Sequence, residues 1–191
     1  MTAKETIAAI STAHGKSAIG VIRVSGKNVL AVVKDFIGRE LKPRFATNVK
    51  IHDKSNVLID DVIVIYYKGP SSYTGEDMLE IQSHGNPITM DFILENICDS
   101  YARLSKPGEF TERAFLNNKI DLVQAEAIAD LINASHISAS KAAMITLQGN
   151  FSKNIGLLIE EVLALRANIE LALIFQRMIL RTTATKIILI Q

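Results

Sequence analysis

Apolar and polar positions alternate with period two over Ala18–Ser25, placing Ile19, Val21, Arg23 and Ser25 on one face and Gly20, Ile22 and Val24 on the other. That period predicts a strand with an arginine rooted in it. The β-branched runs Thr6–Ser11, Val49–His52 and Val57–Tyr67 predict further strands, and the polar Lys54-Ser-Asn between the last two predicts a hairpin. From Asn28 to Phe36 the period changes, and Val29, Val32, Val33 and Phe36 make a helical stripe suited to packing on a sheet. Lys68 to Asp77 gathers turn formers, Met78–Gln82 resumes a strand, and Ser83-His-Gly-Asn-Pro ends it, so two loops flank one short strand. Pro87 fits the first turn of a helix reaching about Tyr101, where its missing N–H is not needed.

After the break at Lys106-Pro-Gly the pattern shifts, and beyond Glu109 the chain reads as helical. Asp121 to Ala134 carries apolar residues at Leu122, Ala125, Ala129 and Ile132, with Asp121 as a candidate N-cap. A longer stretch, roughly Phe151 to Leu173, is so rich in Leu and Ile that packing against helices outside this sequence is expected.

Composition narrows the function classes. With 191 residues and 48% hydrophobic content, the chain can hold one medium domain or one domain plus an appendage, and either can bury a core. Lys+Arg (21) and Asp+Glu (20) nearly cancel, and the cations are scattered, so no counterion-releasing nucleic-acid surface is indicated. Cys98 lies in an apolar helical pattern and has no second cysteine to pair with. The four histidines, His14, His52, His84 and His136, lack a second ligand at metal spacing. No signal core or membrane-length run is present, which predicts a soluble cytoplasmic protein without membrane association. Gly15-Lys-Ser resembles the end of a phosphate-binding loop, but the required upstream glycine position holds Ile10, so GTP hydrolysis by this chain is not expected.

Three segments stand out together. They are Glu5-Thr-Ile-Ala-Ala-Ile with Ile19-Gly-Val-Ile-Arg-Val-Ser-Gly, then Pro70-Ser-Ser-Tyr-Thr-Gly-Glu-Asp-Met-Leu-Glu-Ile-Gln-Ser-His-Gly, then the long run from Lys106-Pro-Gly-Glu-Phe-Thr-Glu-Arg to Asp130-Leu-Ile. Their order and wording resemble the MnmE (TrmE) family of tRNA-modification GTPases over about Glu5 to Leu173. Two departures occur: Asn86 stands where the family usually repeats glycine, and His14-Gly-Lys-Ser-Ala loosens a glycine-rich loop.

The resemblance implies a mixed α/β (α+β) domain over residues 1–118, similar to the folate-binding glycine-cleavage T-protein, that binds folate and dimerises. A partial all-α helical domain would follow over 119–173. It also implies 5-formyltetrahydrofolate or 5,10-methylenetetrahydrofolate as one-carbon donor, with Arg23, Glu80 and Lys119 at the family's folate contacts. A carboxylate suits the N–H-rich pterin edge and cations suit the glutamate end of a folate, with either cation able to serve. Partners implied are a second copy and, for the full-length enzyme, the flavoprotein MnmG and tRNA, whose wobble uridine (position 34) is modified. Potassium and magnesium belong to the full-length enzyme only.

Each residue also has an ordinary reading. Arg23 can be a solvated strand residue, Glu80 a charge paired with a neighbour, and Lys119 part of an exposed loop. His84 suits acid–base work or loop structuring, Tyr73 stacking or turn closure, and Glu112 and Arg113 a solvated helix face. Two other functions therefore stand beside the first: a stand-alone folate-dependent one-carbon transferase, and a dimerisation scaffold whose pocket has lapsed. Past Leu173 the sequence Ile174-Phe-Gln-Arg-Met replaces the family's acidic Asp-Phe-Pro-Glu-Glu, as a one-nucleotide frameshift would produce. Residues 174–191, ending in the β-prone run from Lys186 to Gln191, are expected to form a disordered tail.

Overall fold

A computed structural model describes residues 5–53 and 55–188, with side chains as far as Gln176. Its contacts divide the chain into one unit up to Leu122 and a second from Val123. The first unit is built on β1 (Ile7–Ile10), β2 (Gly20–Ser25), β3 (Thr47–His52), β4 (Leu58–Tyr67), β5 (Met78–Ser83) and β6 (Arg103–Leu104). These form a six-stranded sheet in the order β3-β4-β5-β2-β1-β6, antiparallel throughout except for the parallel β1–β6 pair.

Period-two alternation decides the two faces of this sheet. Ile22 and Val24 of β2, Val49 and Ile51 of β3, Val62, Val64 and Tyr66 of β4, and Leu79 and Ile81 of β5 turn to one side and are buried. Two helical segments cover them. The first starts as α1 (Val29–Ala31) and widens into a π-helical turn (Val32–Phe36), contributing Val29, Val32 and Val33. The second is α2 (Pro87–Ser100), contributing Met90, Ile93, Leu94 and Ile97 at helical spacing. Cys98 packs half-buried at the edge of this core, where burial and neighbouring Asp99 push its thiol up. A structural cysteine behaves this way.

The β3–β4 hairpin turns on Asp53, whose Oδ1 accepts from the N–H groups of Ser55 and Val57 at 2.8 Å, with Asn56 left-handed at φ 60°. Lys54 of the expected turn lies outside the described residues. α2 begins at Asn86, whose side chain accepts from Ile88 N–H at 3.0 Å. The residue that departs from the family's glycine is thus an N-cap. Just before it, Gly85 packs so closely on Ser17 that a Cβ would collide with the Ser17 side chain and backbone.

After β6 comes α3 (Glu109–Leu116), which completes the first unit. The second unit holds α4 (Leu122–Asn133, from Val123 onward), α5 (Ile137–Leu147) and α6 (Asn150–Ile188). Gln124 of α4 donates to the Leu147 carbonyl of α5 at 2.8 Å, and the buried positions of these two helices are the small Ala127 and Ala143. α6 passes through residue 173 and stays helical to Ile188, where the sequence suggested a disordered, β-prone tail from 174. The backbone has a reason: no glycine follows Gly156 and no proline follows Pro107, so an established helix propagates at little cost. The last residues of the tail, 189–191, lie outside the described residues. Among the described residues no helix is long and apolar enough to cross a membrane.

Candidate ligand site on the open sheet face

The sheet face opposite the helices carries the candidate residues. Arg23 on β2 lies directly across from Glu80 on β5, and Glu80 is flanked on its other side by Ile65 of β4. Arg23 Nε donates to Glu80 Oε1 at 2.8 Å, and the Tyr67 hydroxyl donates to Glu80 Oε2 at 3.1 Å. The Arg23 guanidinium also lies 5.7 Å from the centre of the Tyr73 ring, in cation–π range. Burial raises the Tyr67 hydroxyl pKa and the Glu80 charge beside it adds to this, against the opposing pull of Arg23 and Arg44. Tyr67 therefore stays a proton donor to Glu80 across the physiological range.

The pairing of Arg23 with Glu80 meets the ordinary reading of Glu80 and the functional one together. What distinguishes the functional reading is exposure: the Arg23 side chain is 35% exposed and Glu80 12%. The terminal nitrogens of Arg23 make no hydrogen bond among the described residues. A guanidinium fork, a carboxylate and two aromatic rings thus meet on a surface open to a ligand.

Lys119 reaches the neighbourhood by another route. Its Nζ donates to the Pro70 carbonyl at 3.1 Å, and its stem lies along Gly75, where a Cβ would come within 3.2 Å of Lys119 Cγ. Lys119 is joined to the Arg23–Glu80 pair through the 68–77 loop and not by direct contact. Gly75 takes φ 77°, which a side chain would resist.

That loop, which carries Tyr73 and holds a cis Gly69–Pro70 bond, is tied down from several sides. Gly69 N–H donates to Asp77 at 2.8 Å, Ser72 to the Glu76 carbonyl, Arg44 to the Ser71 carbonyl at 2.8 Å and Asn117 to the Thr74 carbonyl at 2.6 Å. The Tyr73 hydroxyl shares a 2.9 Å hydrogen bond with Thr111 on α3. Beneath the loop, Ser25 and the fully buried Thr74 share a 2.7 Å bond, and Ser25 also donates to Glu76.

Glu76 is the start of a buried charge chain that sequence reasoning missed. Arg113 donates to Glu76 at 2.9 Å, to Glu109 at 3.0 Å and to the Glu5 carbonyl at 2.7 Å. Glu109 also accepts twice from Arg103, at 2.6 and 2.9 Å, and once from Lys106 N–H at 2.8 Å. Arg113 is 4% exposed, which overturns its reading as a solvated helix residue: two carboxylates and a carbonyl replace its hydration. The Glu109–Arg113 spacing of four was the available signal, since it puts the pair on one helix face. The two hydrogen bonds from Arg103 lead in holding the Glu109 carboxyl at about 2, against burial.

His84 sits at the end of β5. Its Nδ1 lies 2.7 Å from Asp60 Oδ1, and its N–H donates to Asp60 Oδ2 at 3.0 Å. Burial works to raise the Asp60 carboxyl, but hydrogen bonds from Ser83, from the His84 ring and backbone, and from Asp61 N–H together hold it below its ordinary value. The arrangement fastens the 83–86 loop to β4, the loop-structuring alternative for His84. Two cavities, of about 320 and 390 Å³, lie elsewhere, one beside Asn28, Cys98 and Arg103 and the other beside Leu30, Val33 and Tyr66. Neither is lined by Arg23, Glu80 or Lys119.

Comparison with known proteins agrees with this layout. Residues 6–119 match the family described as the GTP-binding protein TrmE N-terminus, and residues 122–187 match the MnmE helical domain. A protein called tRNA modification GTPase MnmE from Francisella tularensis subsp. novicida (strain U112) is 50% identical over 175 residues, covering 92% of this chain and 39% of the relative. One of the same name from Pseudomonas fluorescens is 49% identical over 172 residues, covering 90% and 38%. The chain thus spans about two fifths of the length of these relatives.

Proposed function

Because the chain belongs to the MnmE (TrmE) family of tRNA modification GTPases, whose N-terminal and helical domains it carries, we propose that its first unit binds a reduced folate and pairs with a second copy. The observation that carries this reading is the Arg23–Glu80 pair on the open face, set between Tyr67 and Tyr73.

The donor set fits 5-formyltetrahydrofolate or 5,10-methylenetetrahydrofolate. Glu80 offers a carboxylate to the N–H groups of a pterin, the tyrosine rings offer apolar surface to its flat body, and Arg23 and Lys119 offer charge to its glutamate carboxylates. Bound there, the folate supplies a one-carbon unit. The chain's own part is to orient it and exclude water, and an open face does this best when a second copy closes over it. The sheet with its helical layer serves as the fold we liken to the folate-binding glycine-cleavage T-protein. In the longer relatives the same unit would present the one-carbon donor for modification of the wobble uridine of tRNA in the cytoplasm, together with the flavoprotein MnmG. GTP hydrolysis, with its potassium and magnesium, is not proposed for these residues.

One observation favours the scaffold reading instead: both oxygens of Glu80 are already engaged, one by Arg23 and one by Tyr67. Calorimetric titration with 5-formyltetrahydrofolate separates the two. A carboxylate-to-donor hydrogen bond is worth about 1.5–3 kcal/mol, so Glu80→Ala should weaken binding roughly tenfold to a hundredfold, and Arg23→Ala comparably. A folded, dimeric wild-type chain that takes up no folate leaves the scaffold.

A further inference from the structure

Arg44 lies just before β3, and its placement is not that of an ordinary surface cation. Its N–H donates to the Tyr66 carbonyl at 2.7 Å, and its backbone takes φ 62°, a left-handed conformation that a side chain resists. The side chain then turns onto the candidate site. Its guanidinium lies 6.0 Å from the centre of the Tyr67 ring, whose hydroxyl donates to Glu80. Nη2 donates to the Ser71 carbonyl at 2.8 Å, and the preceding carbonyl, that of Pro70, accepts from Lys119 Nζ at 3.1 Å. Two cations from distant parts of the sequence, one before β3 and one after α3, thus meet neighbouring carbonyls of the 68–77 loop. Since those carbonyls are one peptide unit apart, the charges lie on the order of 10 Å from one another.

These two charges are not spent inside the protein. Arg23 is offset by Glu80, and Arg113 by Glu76 and Glu109. Arg44 and Lys119 are both exposed, neither makes an ion pair among the described residues, and each rests on a neutral carbonyl. A carbonyl holds a cation in position without cancelling its charge, so the pair presents a positive potential beside the Tyr67–Glu80 end of the site. The remaining N–H donors of Arg44 make no hydrogen bond among the described residues. A guanidinium takes a carboxylate as a fork and an ammonium takes one as a point charge. The glutamate end of a folate carries two carboxylates, α and γ, on a flexible stem.

We infer that Arg44 joins Lys119 in a subsite for the glutamate carboxylates of the folate, so that Arg44 is a further ligand-binding residue. This rests on the folate reading proposed above and adds to it a residue and a division of labour: Glu80 reads the pterin, and the cations on the 70–71 carbonyls read the opposite end.

The test titrates the full chain calorimetrically with 5-formyltetrahydrofolate and with its dimethyl ester, which keeps the pterin and aryl body and removes both glutamate charges. Wild type should bind the diacid roughly tenfold more tightly than the diester. Arg44→Gln keeps an N–H donor for the Ser71 carbonyl but removes the charge. It should weaken the diacid roughly threefold to tenfold, the range for a solvent-screened pair, and leave the diester unchanged. Arg44→Lys should retain most of the preference, and Glu80→Ala should weaken both ligands alike. Equal weakening of the two ligands by Arg44→Gln would mean that Arg44 only supports the loop. That result, or a wild type that does not distinguish diacid from diester, overturns the subsite and leaves the folate reading in place. A folded wild-type chain that binds neither ligand overturns both.

Discussion

The charge chain under the 68–77 loop yields a sharp stability prediction for Glu109→Gln. Glu109 is 6% exposed and accepts from Arg103, Arg113 and the Lys106 N–H, with Arg103 the leading cause of its low pKa. A carboxyl held at about 2 in place of the ordinary 4.5 corresponds to roughly 3 kcal/mol, at about 1.36 kcal/mol per pH unit. Arg103 is itself 39% exposed, so solvent screening takes part of this and about 2–3 kcal/mol is expected. The sign follows from the direction of the shift. A depressed carboxyl stabilises the fold fully above its unfolded value near 4.5, and the contribution fades as pH falls through about 2. All four tyrosines, Tyr66, Tyr67, Tyr73 and Tyr101, lie in the first unit and the chain has no tryptophan, so tyrosine fluorescence during urea unfolding reports that unit alone. The variant should be about 2–3 kcal/mol less stable than wild type at pH 7, and the gap should shrink steadily between pH 4.5 and 2. A gap below about 1 kcal/mol at pH 7, or one that does not change with pH, refutes the reasoning.

Substitutions at two further positions test how the 83–87 loop is held. Gly85→Ala drives a methyl into the Ser17 side chain and backbone and should cost about 1–3 kcal/mol, read as a lower urea midpoint; a neutral effect would mean the 12–17 loop yields freely. Asn86→Ala removes the α2 cap and should cost about 1 kcal/mol, whereas Asn86→Gly should cost only about a few tenths, because glycine is a tolerable N-cap. Equal losses from the two, measured by the same unfolding assay, would show that the cap is not what Asn86 provides.

Much of the fold was legible because its signals are local. The alternation through Gly20–Ser25, the β3–β4 hairpin and the proline-led α2 each announce themselves within ten or fifteen residues. What escaped lies in longer-range terms. β6 is two residues long and exists through its pairing with β1, so no period could reveal it. The helical continuation past Leu173 is carried by propagation from earlier turns, against the β-prone composition of Lys186–Ile188. At the candidate site, the faces of β2 and β5 follow from period two, but the register that sets Arg23 opposite Glu80 does not. The resemblance nominated Arg23, Glu80 and Lys119; the role of Tyr67 came only with the tertiary structure, since Glu80 lies 13 residues away, and of the carboxylates around Arg113 only Glu109, four residues back, left a local signal, Glu76 lying 37 residues away.

In the proposed function the open sheet face around Arg23 and Glu80 receives a reduced folate. The most direct measurement is a crystal structure of the chain grown with 5-formyltetrahydrofolate. Ligand density is expected against that face, with the pterin edge at Glu80 and a glutamate carboxylate within reach of Arg23 or Lys119. Folate seated in the cavity beside Leu30 and Tyr66, or density absent from a crystal soaked at saturating ligand, would contradict it.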